Sequence, residues 1–322
     1  EFEEMKKVKV INLPFIKHLF HWTNKVNNPI TAFHLLTHTS GMYYDFTSKY
    51  GSVYSKYNEN IYSYKNLLDL EGKHEKIKDI SLKEYSEHMS NLPLLFEPGS
   101  DFNYGINTII LGRLIEVVSG KSLENFIKKE ILIPLNMNNT SFNLRGEFTD
   151  IIDVYQKIDG QLQKHEGLSK YPINSFPMGG EGLLSTISDY NNFCKMLLNN
   201  GIFEGKRIIS KNSIELMQTN HLKNLYGKNS INISNRLPIT LIEDMYENAF
   251  HMDGFGLGFS INETLNHQTS IASSLRYGWM GAANTFFFID PTDTFFVIIM
   301  AQSVLNTKIL RQYENVIYQA KN

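Results

Sequence analysis

A single cysteine, Cys194, stands in the 322 residues, so no disulfide can form within the chain and its stability has to come from packing. No uninterrupted apolar run approaches the roughly 18 residues that a bilayer-spanning helix needs. Charge of one sign is missing as a block. The 31 Lys and Arg nearly balance 33 Asp and Glu, for a net charge of −2, and no basic patch offers a footprint for nucleic acid or an anionic membrane. Internal repeats are absent too. What remains is ordinary globular material, 42% hydrophobic and 20% charged, long enough to bury one large core or two closely packed ones. The chain begins at Glu1 rather than Met, a start that reads as internal, so compartment and oligomeric state stay open.

The first thirty residues read as an extended connector punctuated by Pro14 and Pro29. Pro29 suits a helical first turn, with Ile30, Phe33, Leu35 and Leu36 as its apolar stripe. Ser81 to Glu84 is a capping box, and its helix should end before Pro93. A helix over Asn107–Ser119 closes at Gly120 and should bury Ile109, Leu111, Leu114, Ile115 and Val118. Ser122 caps another helix running to Leu132, stopped by Pro134. Thr186 to Asp189 resembles a capping box, and Ser210 caps a helix to about Thr219. Residues 43–80 read as a surface insertion and 220–250 as a lid or binding loop.

The last eighty residues change character. Phe255–Asn262, Leu275–Met280, Thr285–Ile289 and Thr294–Ala301 read as strands, the last two joined by the Asp290–Asp293 turn. Phe286, Phe287 and Phe288 in succession imply burial of both sheet faces. A helix with Ile309, Leu310, Tyr313, Val316, Ile317 and Ala320 on one face ends the chain. The pattern is α+β: an antiparallel sheet flanked by helices, plus a largely helical region. Three segments follow: 1–29 as connector, 30–200 as a mainly helical region, and 201–322 as an α/β region with the sheet strands and final helix.

Several tempting sites dissolve on inspection. His34 and His38 stand four apart, but no Glu follows His34 and no third ligand is evident, so packing and helix-end hydrogen bonding are the better reading and no metal is called for. Gly179-Gly180-Glu181-Gly182 lacks the Gly-Lys-Ser/Thr of a phosphate loop and reads as a tight turn. Gly254, Gly256 and Gly258 alternate with Phe and Leu, which fits a strand passing close to another backbone. Taken alone, Tyr104 reads as a structural tyrosine of core or surface and Trp279 as a core residue.

In order along the chain stand Leu36-Thr37-His38-Thr39-Ser40-Gly41, Phe96-Glu97-Pro98-Gly99 with Tyr104, Pro134-Leu135-Asn136-Met137, Gly179 through Asp189, Gly254 to Phe259, and Trp279-Met280-Gly281-Ala282. Together they resemble the penicillin-recognising serine hydrolases: class C β-lactamases, D-alanyl-D-alanine carboxypeptidases and, most of all, their esterase relatives. The resemblance implies a β-lactamase/transpeptidase-like fold and acyl transfer to a serine on a small-molecule acyl substrate, without cofactor. It places Tyr104 as the proton-handling phenol and the Ala282 amide as an oxyanion donor. Trp279, Met280, Gly281 and Asn107 become substrate contacts.

Departures from the family pattern narrow this. Lys-Thr-Gly has become Trp279-Met280-Gly281, without the cation that greets a β-lactam carboxylate, which favours an ester, thioester or lactone. Ile106 stands where Tyr-x-Asn needs Asn, and Asn107 comes one place late. Gly105 replaces a common Ser, one polar group fewer. No serine is followed by lysine three places on, so the family's Ser-x-x-Lys motif is absent. The expectation is a chain that lacks the N-terminal part of the sheet and its nucleophile, inactive by itself. A non-catalytic scaffold, and a β-lactamase or carboxypeptidase, remain the alternatives.

Overall fold

The structure, a computed structural model, describes residues 9–12, 22–44, 80–142, 150–165, 176–226, 254–263, 275–281, 283–303 and 316–320. The chain divides into two compact units. Unit one comprises Glu1–Ile127, Phe142–Thr149 and Lys170–Leu183; unit two comprises Lys128–Ser141, Asp150–Ser169 and Leu184–Asn322.

In unit one, β1 (Lys9–Asn12) and β2 (Trp22–Lys25) pair antiparallel. Helix α1 (Ala32–Leu36) starts three residues after Pro29, which therefore precedes its first turn. Thr31 is its cap: the hydroxyl accepts from the His34 amide, and His34 Nδ1 accepts from the Thr31 amide. The short helix leaves Phe33 at 47% exposure, outside the stripe expected to bury it. Ser81 and Glu84 form the expected capping box of α2 (Leu82–Ser90). Helix α3 (Asn107–Ser119) has the bounds read from sequence, closed by Gly120 in the left-handed region. Its buried side is Asn107, Ile109, Ile110 and Gly112, whereas Val118 is 79% exposed. Leu35, Met42, Tyr85, Leu94, Ile109 and Met178 are among the core residues that these helices share.

The helix opened by Ser122 is regular only over α4 (Leu123–Ile127); Lys128–Leu132 widens into a π turn before Pro134.

Unit two begins with that turn and carries a hairpin of β3 (Tyr155–Ile158) and β4 (Gln161–Lys164). Thr186 caps α5 (Ile187–Leu198), accepting from the Asp189 amide. The Asp189 carboxylate does not reciprocate. It turns to the Asn139 amide at 2.7 Å and the Thr140 hydroxyl at 2.8 Å, tying the helix start to the preceding loop. Ser210 caps α6 (Lys211–Met217) as expected.

Five antiparallel strands follow: β5 (Gly254–Phe255), β6 (Ser260–Asn262), β7 (Arg276–Met280), β8 (Thr285–Asp290) and β9 (Phe295–Met300), in the spatial order β9-β8-β7-β6-β5. The single strand expected over Phe255–Asn262 is instead a hairpin. Gly258 at φ +88° turns the chain, the Gly256 amide donates to Phe259 O at 2.8 Å, and Phe255 faces Ser260. A Cβ on Gly256 would sit 1.9 Å from Met217 O, the close approach inferred from its neighbours. Phe286, Phe287 and Phe288 are all buried, on alternate faces. Phe287 meets Tyr190 and Phe193 of α5, while Phe288 stacks on Tyr318 of the helix at 316–320. Helices thus cover both sides. The Asp290 turn is pinned by its own carboxylate, which accepts from the Asp293 amide and from the Tyr318 hydroxyl. Cys194 is fully buried on α5, and burial pushes its thiol up to about 12.

Of the insertion at 43–80, residues 45–79 lie outside the described residues, as do 227–250 of the lid segment and 304–315 of the last helix.

Candidate active site

Tyr104 sits in unit one on the loop leading into α3. Its neighbours come from the segment after α1, because the two loops are stitched together by backbone hydrogen bonds. Leu95 N–H donates to Gly41 O at 2.9 Å, Gly99 N–H to Thr39 O at 2.8 Å, and Asn103 N–H to His38 O at 2.9 Å. The Asn103 side-chain amide bridges Met42 O and Tyr104 O at 3.1 and 3.0 Å.

Gly105 follows Tyr104 where the chains come closest. A Cβ there would lie 2.5 Å from Tyr43 Cα and 2.6 Å from Met42 O. Replacement of the family's serine is therefore a packing requirement of this chain as well as the loss of a polar group. Gly105→Ser should destabilise unit one by about 1–3 kcal/mol. Urea unfolding followed by the protection of α3 amides checks it, and an unchanged midpoint contradicts the close packing.

The Tyr104 ring packs 4.8 Å from the His38 imidazole and 5.5 Å from the Tyr44 ring. Burial, followed by the Tyr104, Glu181 and Tyr85 groups, holds the Tyr44 phenol well above its ordinary range. A hydrogen bond with Tyr104 acts in the same direction. The turn at Gly179–Gly180 lies against this pair, with a Cβ on Gly180 3.6 Å from the Tyr44 hydroxyl. Sequence reasoning missed Tyr44. It is one tyrosine of seventeen, next to a segment without periodicity, and carried no signal of its own.

His34 and His38 do not converge. His34 caps Thr31, while His38 lies past the end of α1 at φ +54°, 2% exposed, with its ring turned to the Tyr104 loop. Burial lowers its pKa from 6.5 to about 3, so the imidazole is neutral. Asn107, expected to contact substrate, has no exposed surface. Its amide oxygen takes the Ser40 hydroxyl at 2.5 Å and its amide nitrogen meets His38 Nδ1 at 2.8 Å.

In unit two, Trp279 and Met280 are consecutive on β7 and point to opposite faces. Trp279 is partly exposed, with Phe255 edge-on to it at 5.4 Å. Met280, also expected to contact substrate, is only 7% exposed. Gly281 opens the turn into β8: its amide donates to Thr285 O at 2.8 Å and its carbonyl accepts from Asn284 N–H at 3.0 Å. Ala282 lies outside the described residues.

A sequence model of the Beta-lactamase family matches residues 12–317, nearly the whole chain. The chain belongs to the Beta-lactamase family. Among curated relatives of this family member, Protein Rv1367c of Mycobacterium tuberculosis is 28% identical over 203 residues, 62% of this chain and 46% of the relative. Esterase EstB of Burkholderia gladioli is 31% identical over 113 residues, 35% of this chain and 26% of the relative. The chain thus spans less than half the length of these relatives. Among solved structures, simvastatin synthase of Aspergillus terreus superposes with a TM-score of 0.74 at 19% identity, over 99% of this chain and 76% of that one. The fold is that of the β-lactamase/transpeptidase class, in a family whose members include serine hydrolases, esterases and acyltransferases.

Proposed function

We propose that this Beta-lactamase-family protein is a serine acyl-transfer enzyme of the esterase type, acting through an acyl-enzyme on an ester, thioester or lactone. Tyr104 manages the proton, the Ala282 amide serves the oxyanion, and Trp279 with Gly281 contacts substrate. The observation that carries this reading is the phenol pair. Tyr104 is partly exposed, and the buried Tyr44 phenol packs 5.5 Å from its ring and hydrogen-bonds with it. A phenol partner within hydrogen-bond reach can stabilise negative charge on its neighbour's oxygen, which is what a phenol taking part in proton transfer needs. Trp279, an aromatic with no charge to offer a carboxylate, supports a neutral acyl group over a β-lactam. The names of EstB and of simvastatin synthase point the same way.

No serine of the 322 residues has lysine three places on, so the nucleophile is proposed to lie outside them and the 322 residues alone to be inert. Fluorophosphonate labelling of the protein from its source, with peptide mapping, tests the reading. The expected result is one labelled serine in a Ser-x-x-Lys motif and no label on purified 1–322. A folded, full-length protein that takes no label would move the assignment to a non-catalytic scaffold. Turnover of a chromogenic cephalosporin would favour the β-lactamase reading.

A further inference from the structure

We infer that His38 is a positioning residue whose task is to hold Tyr104, and that Asn107 and Ser40 serve His38 rather than any ligand. The catalytic weight of this inference rests on the role proposed for Tyr104; its geometry does not.

His38 grips the Tyr104 loop on both sides of the tyrosine. Its backbone carbonyl accepts from Asn103 N–H at 2.9 Å, and its ring Nδ1 accepts from Gly105 N–H at 3.3 Å. Between these two anchors, the imidazole lies 4.8 Å from the Tyr104 ring at an interplanar angle of 45°. One residue thus touches the amide before Tyr104, the amide after it and the ring itself.

The direction of every hydrogen bond behind His38 follows from that arrangement. A backbone N–H can only donate, so Nδ1 is an acceptor and the ring proton resides on Nε2. Asn107 must then present its NH₂ to Nδ1, at 2.8 Å, which turns its carbonyl oxygen to the Ser40 hydroxyl at 2.5 Å. Ser40 Oγ in turn accepts from Met42 N–H at 3.0 Å. The chain runs Met42 N–H, Ser40, Asn107, His38, with the Gly105 and Asn107 N–H groups sharing the Nδ1 lone pair, and all three side chains are at most 2% exposed. A buried network of directional bonds of this kind favours one geometry. It also accounts for Asn107 at the start of α3: the residue is no substrate ligand displaced by one position but the link between the two stitched loops.

The left-handed backbone at His38 makes a clean test possible. Glycine and asparagine both tolerate φ +54°, so neither replacement strains the chain. His38→Gly deletes the imidazole. His38→Asn keeps an acceptor close to where Nδ1 stands. Tyr104 is replaced by 3-fluorotyrosine in the full-length protein, and its ¹⁹F spectrum and ester turnover are recorded. The expected outcome is a single sharp line in wild type and His38→Asn, and a broadened or split line in His38→Gly and Asn107→Leu, with no further change in the double variant. The kcat of His38→Gly should fall on the order of ten- to a hundredfold at nearly constant KM, and His38→Asn should recover most of it. If His38→Gly does not fold, Ser40→Ala, which loosens only the far end of the network, should give an intermediate linewidth. A sharp, unshifted ¹⁹F line in folded His38→Gly, or in Ser40→Ala where that substitute is needed, overturns the inference. So does an Nδ1–H tautomer in the ¹⁵N spectrum of the imidazole. If wild type itself turns over no ester while the ¹⁹F pattern holds, the positioning stands and only the enzymatic reading falls.

Discussion

Acidification from about pH 7 to about pH 3.5 should remove on the order of 4 kcal/mol of stability from unit one through His38 alone. In the folded chain burial holds its imidazole at about 3, whereas unfolding releases it to the ordinary 6.5. The folded pKa is the lower one, so below pH 6.5 the unfolded chain takes up a proton that the folded chain refuses. The contribution is complete above that pH and is lost as pH falls towards 3. Against a typical domain stability of roughly 5–15 kcal/mol this is a large share. Other groups titrate in the same window, which makes the variant the decisive comparison. His38→Asn carries no titratable ring, so its stability should decline less steeply over the same range. Protection of α3 amides against hydrogen exchange, measured at several pH values in both proteins, reads unit one specifically. Parallel declines would show that His38 is not the group responsible.

Tyr104→Phe in the full-length protein should lower kcat/KM for a p-nitrophenyl ester by about 10²–10⁴-fold, the span expected when a positioned proton-transfer group is deleted. The two aromatic contacts of the ring are kept in phenylalanine, so folding should be untouched and the loss should fall on chemistry. Tyr44→Phe is the informative companion. It removes the hydroxyl that hydrogen-bonds with Tyr104 but leaves the proton-handling phenol in place, and its effect should be about tenfold, the worth of one hydrogen bond. Equal losses in both variants would make the pair a single relay. Turnover unchanged in Tyr104→Phe would end the assignment of Tyr104.

Local rules carried much of the architecture. The cap of α2, both ends of α3 and the Asp290 turn depend on residues within a few positions of each other, and sequence states such things directly. Three consecutive phenylalanines could be satisfied only by a sheet covered twice, and α5 and Tyr318 do so. Misjudgements arose where long-range packing overrode a local preference. Val118 has the right spacing for a buried face, but the core of unit one lies against the first half of α3. Phe255–Asn262 looks like one strand until Gly258 takes a positive φ. At the site, the motif order pointed to the family and to the Tyr104 loop. What Asn107 and His38 do could not be read, because their partners lie 67 to 69 residues away and the directions of the bonds emerge only when all are in place.

Cys194 gives the molecule a clock. Its thiol is sealed under α5, beside Tyr190 and Tyr277, whose phenols are pushed above their ordinary range by burial and by that neighbour. A thiol raised to about 12 and shut off from solvent is nearly all protonated and out of reach, so reagents meet it only in excursions that lift the helix from the sheet. Each alkylated chain therefore records one such opening of unit two. Because the 322 residues hold no second cysteine, every alkylation among them falls on this one thiol, and the tally needs no substrate.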